Sequence, residues 1–454
     1  MTQIASVAEG STEYVLSRAL ISSDRSQSEV EISAVVNEFL IYEHIEKPYL
    51  TMRLTFMDQI NLLQTIDFQG GERLSITLKQ IEETETGNEI VKDFVVDEIE
   101  KTIKLDERNE LVIIHCTEYH MFESAAQNVN RSYTGAPSDI IKSLISMHVN
   151  KTIVCNGDES TKDLKVIIPN LDPMEAAQWI KNRAVTYMGM PFFLYSPLGV
   201  DNLVFRDLET MLSEPVSNIT KPYVYTSSLA QTTDITKLYN ILEYKYESSE
   251  DLIKLMRRGY VGASYSFYDV HRGISDTRHF DVDNVFKTML TQNLLGGQNS
   301  RYNYGPDYKV KGKRLSDYNS KVITKISSSG AYRGVSYDGS LTNYRSYSDE
   351  TLGGDHMKHI SGKAVKGFLA KTPLCITVKG REFITGNNNY TLGKTIRVLF
   401  LDADPTADQN SAGKDLKKSG DYLIIGAKHV FNGQKVTSEL LCGKVASIGK
   451  EIQV

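Results

Sequence analysis

The 454-residue chain lacks most of the signals by which a sequence declares its chemistry. Its four cysteines, Cys116, Cys155, Cys375 and Cys442, stand far apart with no CxxC spacing. That argues against a disulfide framework or a thiolate metal site, and predicts reduced thiols, two of them inside strands, made in a reducing compartment. Apolar runs such as "LVII" and "YLII" are far too short to cross a bilayer, so no membrane insertion is expected. The opening "MTQIASVAEGSTEYV" has no basic stretch leading into an apolar one, and no secretory signal is expected. A formal net charge of −6 offers little for general duplex binding, which depends on Lys and Arg neutralising phosphates. The single Trp, Trp179, is read as a packing or interface residue.

Catalytic and ligand motifs fail in turn. "GNNNYTLGKT" ends in Gly393-Lys394-Thr395, but a phosphate loop needs Gly where Asn388 stands and a helix where "IRVLFL" reads as a strand. "DADPTAD" places Asp402, Asp404 and Asp408 like a calcium loop, yet Pro405 interrupts it and Ala407 replaces the obligatory Gly, so an acidic surface loop is expected. His356 and His359 lack the Glu of HExxH and read as a solvent-facing pair. "GASYS" at 262–266 is not GxSxG. Glu82–Glu83 reads as a solvated strand edge; an acid–base dyad would also need a pocket. His429 could serve as a base, but packed or partner-facing histidines are commoner. No cofactor, no metal site and no enzymatic activity are expected.

What the chain does have is strand grammar. With 41% hydrophobic and 24% charged residues it is of globular composition, long enough for two to four domains with ample core. "PYLTMRLTF" (48–56) alternates without a fault: Leu50, Met52, Leu54 and Phe56 share one face, Tyr49, Thr51, Arg53 and Thr55 the other. Strands continue through "GGERLSITLK", "DFVVDEIEKTI" and "NELVIIHCTEY". Near residue 123 helices enter. "GAPSDIIKSLISMH" has Pro137 at a helix start. "LDPMEAAQWIKNRAV" has Asp172 as N-cap, Pro173 at N1 and Glu175 at N3. From about 290 to 365 the chain is polar and rich in Gly, Ser, Asn and Tyr; strands then resume, with Asn432-Gly433 as the turn of a last hairpin. The block 71–116 echoes 393–442: a Gly-led strand, a loop, an Asp-aromatic strand, and a closing strand ending at Cys.

These readings divide the chain into an N-terminal arm (1–30), a first β block (31–122), an α+β segment (123–222), a second β block (223–290 and 365–454) and a polar insertion (291–364). The fold class is mainly β with α+β segments.

In order along the chain, "EFLIYEHIEKPYLTMRLTFMDQINLL…GGERLSITLK", "YTGAPSDIIKSLI", "IPNLDPMEAAQWIKNRAV…PFFLYS", "LMRRGYVGASYSFYDV" and "SGDYLIIGAKHVF" resemble the baseplate hub protein of contractile-tailed phages. The resemblance covers most of the chain outside the arm and the insertion. It implies two similar tube-type β-barrel domains per subunit, a homotrimer, and a structural role in the virion. Such a hub adapts a sixfold tail tube to a threefold central spike and leaves a channel for DNA, which passes without specific binding. The implied partners are the chain itself, the spike, the tube or a tube-initiator protein, and the tape-measure protein; the implied setting is the tail baseplate, assembled in host cytoplasm. Thr51, Arg53 and Thr55 in the first barrel, and Arg397 and Lys428 in the second, become lumen or subunit-seam residues. The alternatives are a spike of a type VI-like secretion apparatus, or a cell-wall hydrolase acting at entry.

Overall fold

A computed structural model describes residues 14–448, except 60, 81–88, 107–108, 158, 160–163, 226–238, 247–250, 270–273, 293–299, 303–308, 327–331, 336–340, 345–353, 372, 381–390, 402–414, 416–417 and 434. The expectations for Glu82–Glu83 and for Asp402, Asp404 and Asp408 lie outside the described residues.

The first block holds β1 (Tyr14–Ser23), β2 (Ser28–Glu31), β3 (Val36–His44), β4 (Thr51–Asp58), α1 (Leu62–Ile66), β5 (Arg73–Gln80), β6 (Glu89–Lys104) and β7 (Glu110–Glu118). Its strands lie in the order β3-β4-β7-β6-β5-β1-β2, all antiparallel. The faultless alternation of β4 has its expected effect: Met52, Leu54 and Phe56 are buried while Thr51, Arg53 and Thr55 are half-buried on the other face. Residues 14–30 are not a loose arm. β1 covers the edge of β5 and buries Tyr14, Ala19 and Ile21 completely; its Ser and Arg content hides that alternation. The block's outermost strands, β2 and β3, follow one another in the chain. A 3-10 turn at Ser33–Val35 links β2 to β3, and its Ser33 Oγ accepts from Ala19 N–H at 2.8 Å. Among the described residues β2 does not pair with β3, so no closed barrel is formed.

The α+β segment contains α2 (Tyr119–Ala125), β8 (Ser132–Gly135), α3 (Pro137–His148), β9 (Ile153–Asn156), β10 (Leu164–Ile167), α4 (Pro173–Lys181), β11 (Phe192–Tyr195), β12 (Leu203–Asp207) and α5 (Leu208–Ser213). Pro137 stands at the start of α3, whose Ile140, Ile141, Leu144 and Ile145 are buried. Asp172 caps α4 by accepting from Met174 and Glu175 N–H, and Ser124 Oγ donates to the same carboxylate at 2.6 Å. Trp179 packs at the margin of this core with the Arg183 guanidinium 3.3 Å above its ring.

The remainder runs β13 (Tyr223–Tyr225), β14 (Glu243–Tyr246), α6 (Leu252–Arg258), β15 (Gly262–Asp269), β16 (Ile274–Asp281), α7 (Val282–Thr291), β17 (Ser300–Tyr302), β18 (Lys309–Val310), β19 (Lys313–Arg314), β20 (Val322–Ile326), β21 (Tyr332–Val335), β22 (Leu341–Tyr344), α8 (Gly354–Leu369), β23 (Leu374–Lys379), β24 (Thr395–Phe400), β25 (Gly420–Asn432) and β26 (Lys435–Ile448). Six of these strands lie in the order β13-β24-β25-β26-β23-β14. The first block has β1-β5-β6-β7-β4-β3. Numbered by appearance within each set, both read 1-4-5-6-3-2. The sets differ at one edge: β1 is antiparallel to β5, whereas β13 is parallel to β24.

Two pieces lie elsewhere than the sequence reading puts them. β15 and β16, assigned there to the second block, form a separate sheet with β20, assigned to the insertion. Gly262 allows this: a Cβ there would sit 2.3 Å from the Ser316 carbonyl oxygen. The polar stretch therefore contributes core, through Leu315 and through Ile360 and Ala364 of α8. Its apolar residues are too widely spaced to stand out locally.

The two blocks join through one strand. On one side β25 pairs with β26 along its length. On the other, Gly420–Leu423 pair with β24 and Gly426–Asn432 pair antiparallel with β3. Both blocks thereby belong to one 14-stranded sheet.

Candidate functional site: a polar sheet face over a sealed junction

Directly opposed residues in an antiparallel pair share a face. Following the registers across the joint gives two rows on the wet face. One is Glu439, Lys428, Tyr42, Thr51, Thr117; the other is Thr437, Val430, Leu40, Arg53, His115. Thr51, Arg53 and Lys428 thus stand on one continuous surface spanning both blocks, and Thr55 follows in the next row opposite Glu38. Two of the cations on it are paired. Lys428 Nζ lies 2.8 Å from Glu439, and Arg53 Nε lies 2.7 Å from Glu100, which also meets His115 Nε2 at 2.9 Å. The Arg53 guanidinium, hydrogen-bonded to Glu100, lowers that carboxyl to about 2. Glu38, Glu100, His115 and Glu439 escaped the sequence reading; Glu100 meets Arg53 across 47 residues, which no local pattern announces.

Arg397 is placed differently. It is on β24, at the other half of β25, and does not join these rows. It forms two hydrogen bonds to buried Asp421, at 2.8 and 3.0 Å, while its backbone N–H and carbonyl exchange bonds with Asn218.

Beneath the joint lies a polar cluster that seals it. His429 Nδ1 is 2.8 Å from Ser438 Oγ and its Nε2 is 3.2 Å from Glu43 Oε1; Glu43 Oε2 accepts from Leu198 N–H at 2.9 Å. The order Ser, His, carboxylate is that of a nucleophile, base and orienting acid. Here, however, Ser438 and His429 are 0% exposed and Glu43 is 3% exposed, so no substrate atom reaches them. The cluster ties β25, β26, β3 and the α+β segment together. A second tie is Glu46, which meets Lys181 of α4 at 2.9 Å and Lys366 of α8 at 2.7 Å. Burial pushes its carboxyl up, but the Lys366 and Lys181 ammoniums outweigh that and bring it to about 2.

The remaining candidates are structural in their surroundings. His359 is buried, not solvent-facing, and burial holds both His356 and His359 at about 4, neutral at physiological pH. The four cysteines form no disulfide with one another and all four lie in strands, two more than expected. Burial pushes the Cys155 thiol up to about 11, and Cys116 and Cys442 further. Among the described residues no group of three or more His, Cys, Asp or Glu gathers as a metal site, and no helix is long and apolar enough to cross a membrane.

No protein-family model and no curated protein matches the chain. Solved structures do. The 43 kDa tail protein of prophage MuSo2 from Shewanella oneidensis aligns with TM-score 0.49 and 9% identity over 94% of this chain and 98% of that one. The tail protein from Neisseria meningitidis MC58 aligns with TM-score 0.48 and 11% identity over 94% and 96%. The E. coli c3393 protein, a component of the type VI secretion system, aligns with TM-score 0.38 and 9% identity over 90% and 73%. These similar structures are phage tail and secretion-spike proteins.

Proposed function

We propose that this chain is a structural baseplate hub of a contractile tail: a homotrimeric ring that adapts a sixfold tail tube to a threefold central spike. The observation that carries the proposal is the repeated strand order, 1-4-5-6-3-2 in both blocks, within one chain whose two blocks are joined side by side. A sixfold tube end offers six equivalent patches. Three chains with two alike blocks each offer six matching ones, with no need for chemistry. In this reading the copies are residues 14–118 and the strands β13, β14 and β23 to β26, and the α+β segment and the β15–β16–β20 sheet stand outside the ring.

The polar face then lines the central channel. Two of its cations, Arg53 and Lys428, are each paired with a carboxylate, which reduces the free positive charge with which to hold passing phosphates. Native mass spectrometry of the purified chain, with the spike protein added if required, should give three copies. A stable monomer in the presence of the spike, or a dimer, overturns the trimeric ring. The spike and the tube or tube-initiator are the proposed partners at the two ends of the ring, and the virion tail is the proposed location.

A further inference from the structure

We propose that successive copies of this chain are joined by an antiparallel pairing of the outer half of β6, Glu98–Lys104, with β14 of the next copy. The inference deepens the ring reading and rests on it. It starts from strand lengths. β6 has 16 residues and β5 has 8, so pairing with β5 uses only Glu89–Val95 and ends with the Gly71 and Glu72 bonds to Val96. Among the described residues nothing pairs with that edge beyond Val96.

The second block contains the same mismatch and shows how it is resolved. β25 has 13 residues and β24 has 6. The surplus, Gly426–Asn432, is taken up by β3 of the other block. In the shared strand order β25 corresponds to β6 and β3 corresponds to β14. β14 is the terminal strand of the sheet and, among the described residues, pairs only with β23. Among the described residues each chain therefore has one filled joint and the two halves of a second, unfilled one. They face different neighbours, which makes the contact head-to-tail and lets a ring close.

Matching the ladders fixes the register. Lys428 opposes Glu439 and Val430 opposes Thr437; Lys101 opposes Ile113 and Ile103 opposes Leu111. With the bulge between Ile99 and Lys101 counted, Lys101 stands where Lys428 does and Ile103 where Val430 does. On the other side Tyr244 opposes Ile376 as Phe39 opposes Leu54, so Lys245 stands where Leu40 does. Val430 opposes Leu40 in the filled joint, so Ile103 opposes Lys245 of the second copy in the unfilled one.

The exposed surface agrees. Ile99, Ile103 and Leu105 are 37%, 43% and 55% exposed, and Leu242 and Tyr246 are 53% and 43% exposed. A bare strand edge carrying exposed apolar side chains is a template for pairing with another chain. The filled joint shows what such cover achieves: Phe39 and Phe431 stack there at 4.4 Å and are both buried.

The test is a cysteine pair, Ile103→Cys with Lys245→Cys in one chain. Opposed strand residues have Cα atoms about 4.5–5.5 Å apart, within disulfide range. Mild oxidation should yield covalent species of two and three chains on a non-reducing gel, while neither single variant does so. Separately, Ile103→Lys should weaken assembly at least tenfold while leaving the circular dichroism of the chain unchanged. Three copies in the native mass spectrum without cross-linking of the double variant refutes this seam and leaves the ring standing. One or two copies in that spectrum refutes the ring itself.

Discussion

Replacing Glu43 by Ala tests whether the buried cluster welds the two blocks. In the tautomer that carries its proton on Nε2, His429 Nε2–H and Leu198 N–H donate to Glu43 and the Ser438 hydroxyl donates to Nδ1. The substitution leaves two buried donors without an acceptor. Each costs about 1–3 kcal/mol, so the loss should be about 2–6 kcal/mol. Ser438→Ala removes one neutral bond and should cost about 1 kcal/mol. Urea unfolding at one fixed protein concentration gives the two losses. Hydrogen exchange read by mass spectrometry locates them: Glu43→Ala should speed exchange in Val36–His44 and Gly426–Asn432 ahead of the rest of the sheet. A Glu43→Ala protein within about 0.5 kcal/mol of the parent contradicts the reasoning. So does a Ser438→Ala loss of equal size, or exchange that rises evenly.

Two carboxyls give pH predictions of opposite sign. Glu46 is depressed from 4.5 to about 2, so its contribution is present above pH 4.5 and is lost as pH falls through about 2. Its side chain is 38% exposed, and solvent screening reduces the loss to about 1–2 kcal/mol; Glu46→Gln should flatten this acid limb in a pH series of melting midpoints. Burial raises Glu159 from 4.5 to about 7, against the pull of its two Ser138 hydrogen bonds. The folded state there holds a proton the unfolded state has lost, so stability falls as pH rises from 4.5 through 7 and is flat above; Glu159→Gln should remove that slope, and an unchanged slope rejects the assignment.

Patterns of short range were legible in the sequence. The period-two alternation of 48–56 placed Met52, Leu54 and Phe56 in a core, and the Asp172-Pro173 start placed α4. Asn432-Gly433 ends β25 at a turn where Gly433 has φ of +60°. Residues whose partners are distant in sequence were not legible. β1 is buried because it covers β5, some fifty residues later in the chain, and nothing within "YVLSRALISS" announces that. The polar stretch hides β20 for the same reason: its partner β15 is distant, and a parallel pair needs no turn signal between its members. His429 shows the limit most plainly. Its character depends on Glu43, 386 residues away. The same histidine facing a pocket would invite a catalytic reading, and sealed between strands it holds the joint.

The repeat itself was only half legible, for a physical reason. Strand order is set by which edges are left open as each strand docks, and that information lies in relative strand length as much as in composition. A long strand beside a short one always leaves a half-edge with unmet hydrogen bonds. In this chain the mismatch occurs twice, at β6 against β5 and at β25 against β24. Filling it once, with β3, fuses two blocks into one sheet. Among the described residues the other is unfilled, and the proposed seam pairs that edge, Glu98–Lys104, with β14 of the next copy. In the proposed ring, two mismatches with one internal filling make a unit that extends by adding its own kind. Loop sequences play no part in that geometry, which is why the loops of the two blocks differ freely while the order of their strands does not.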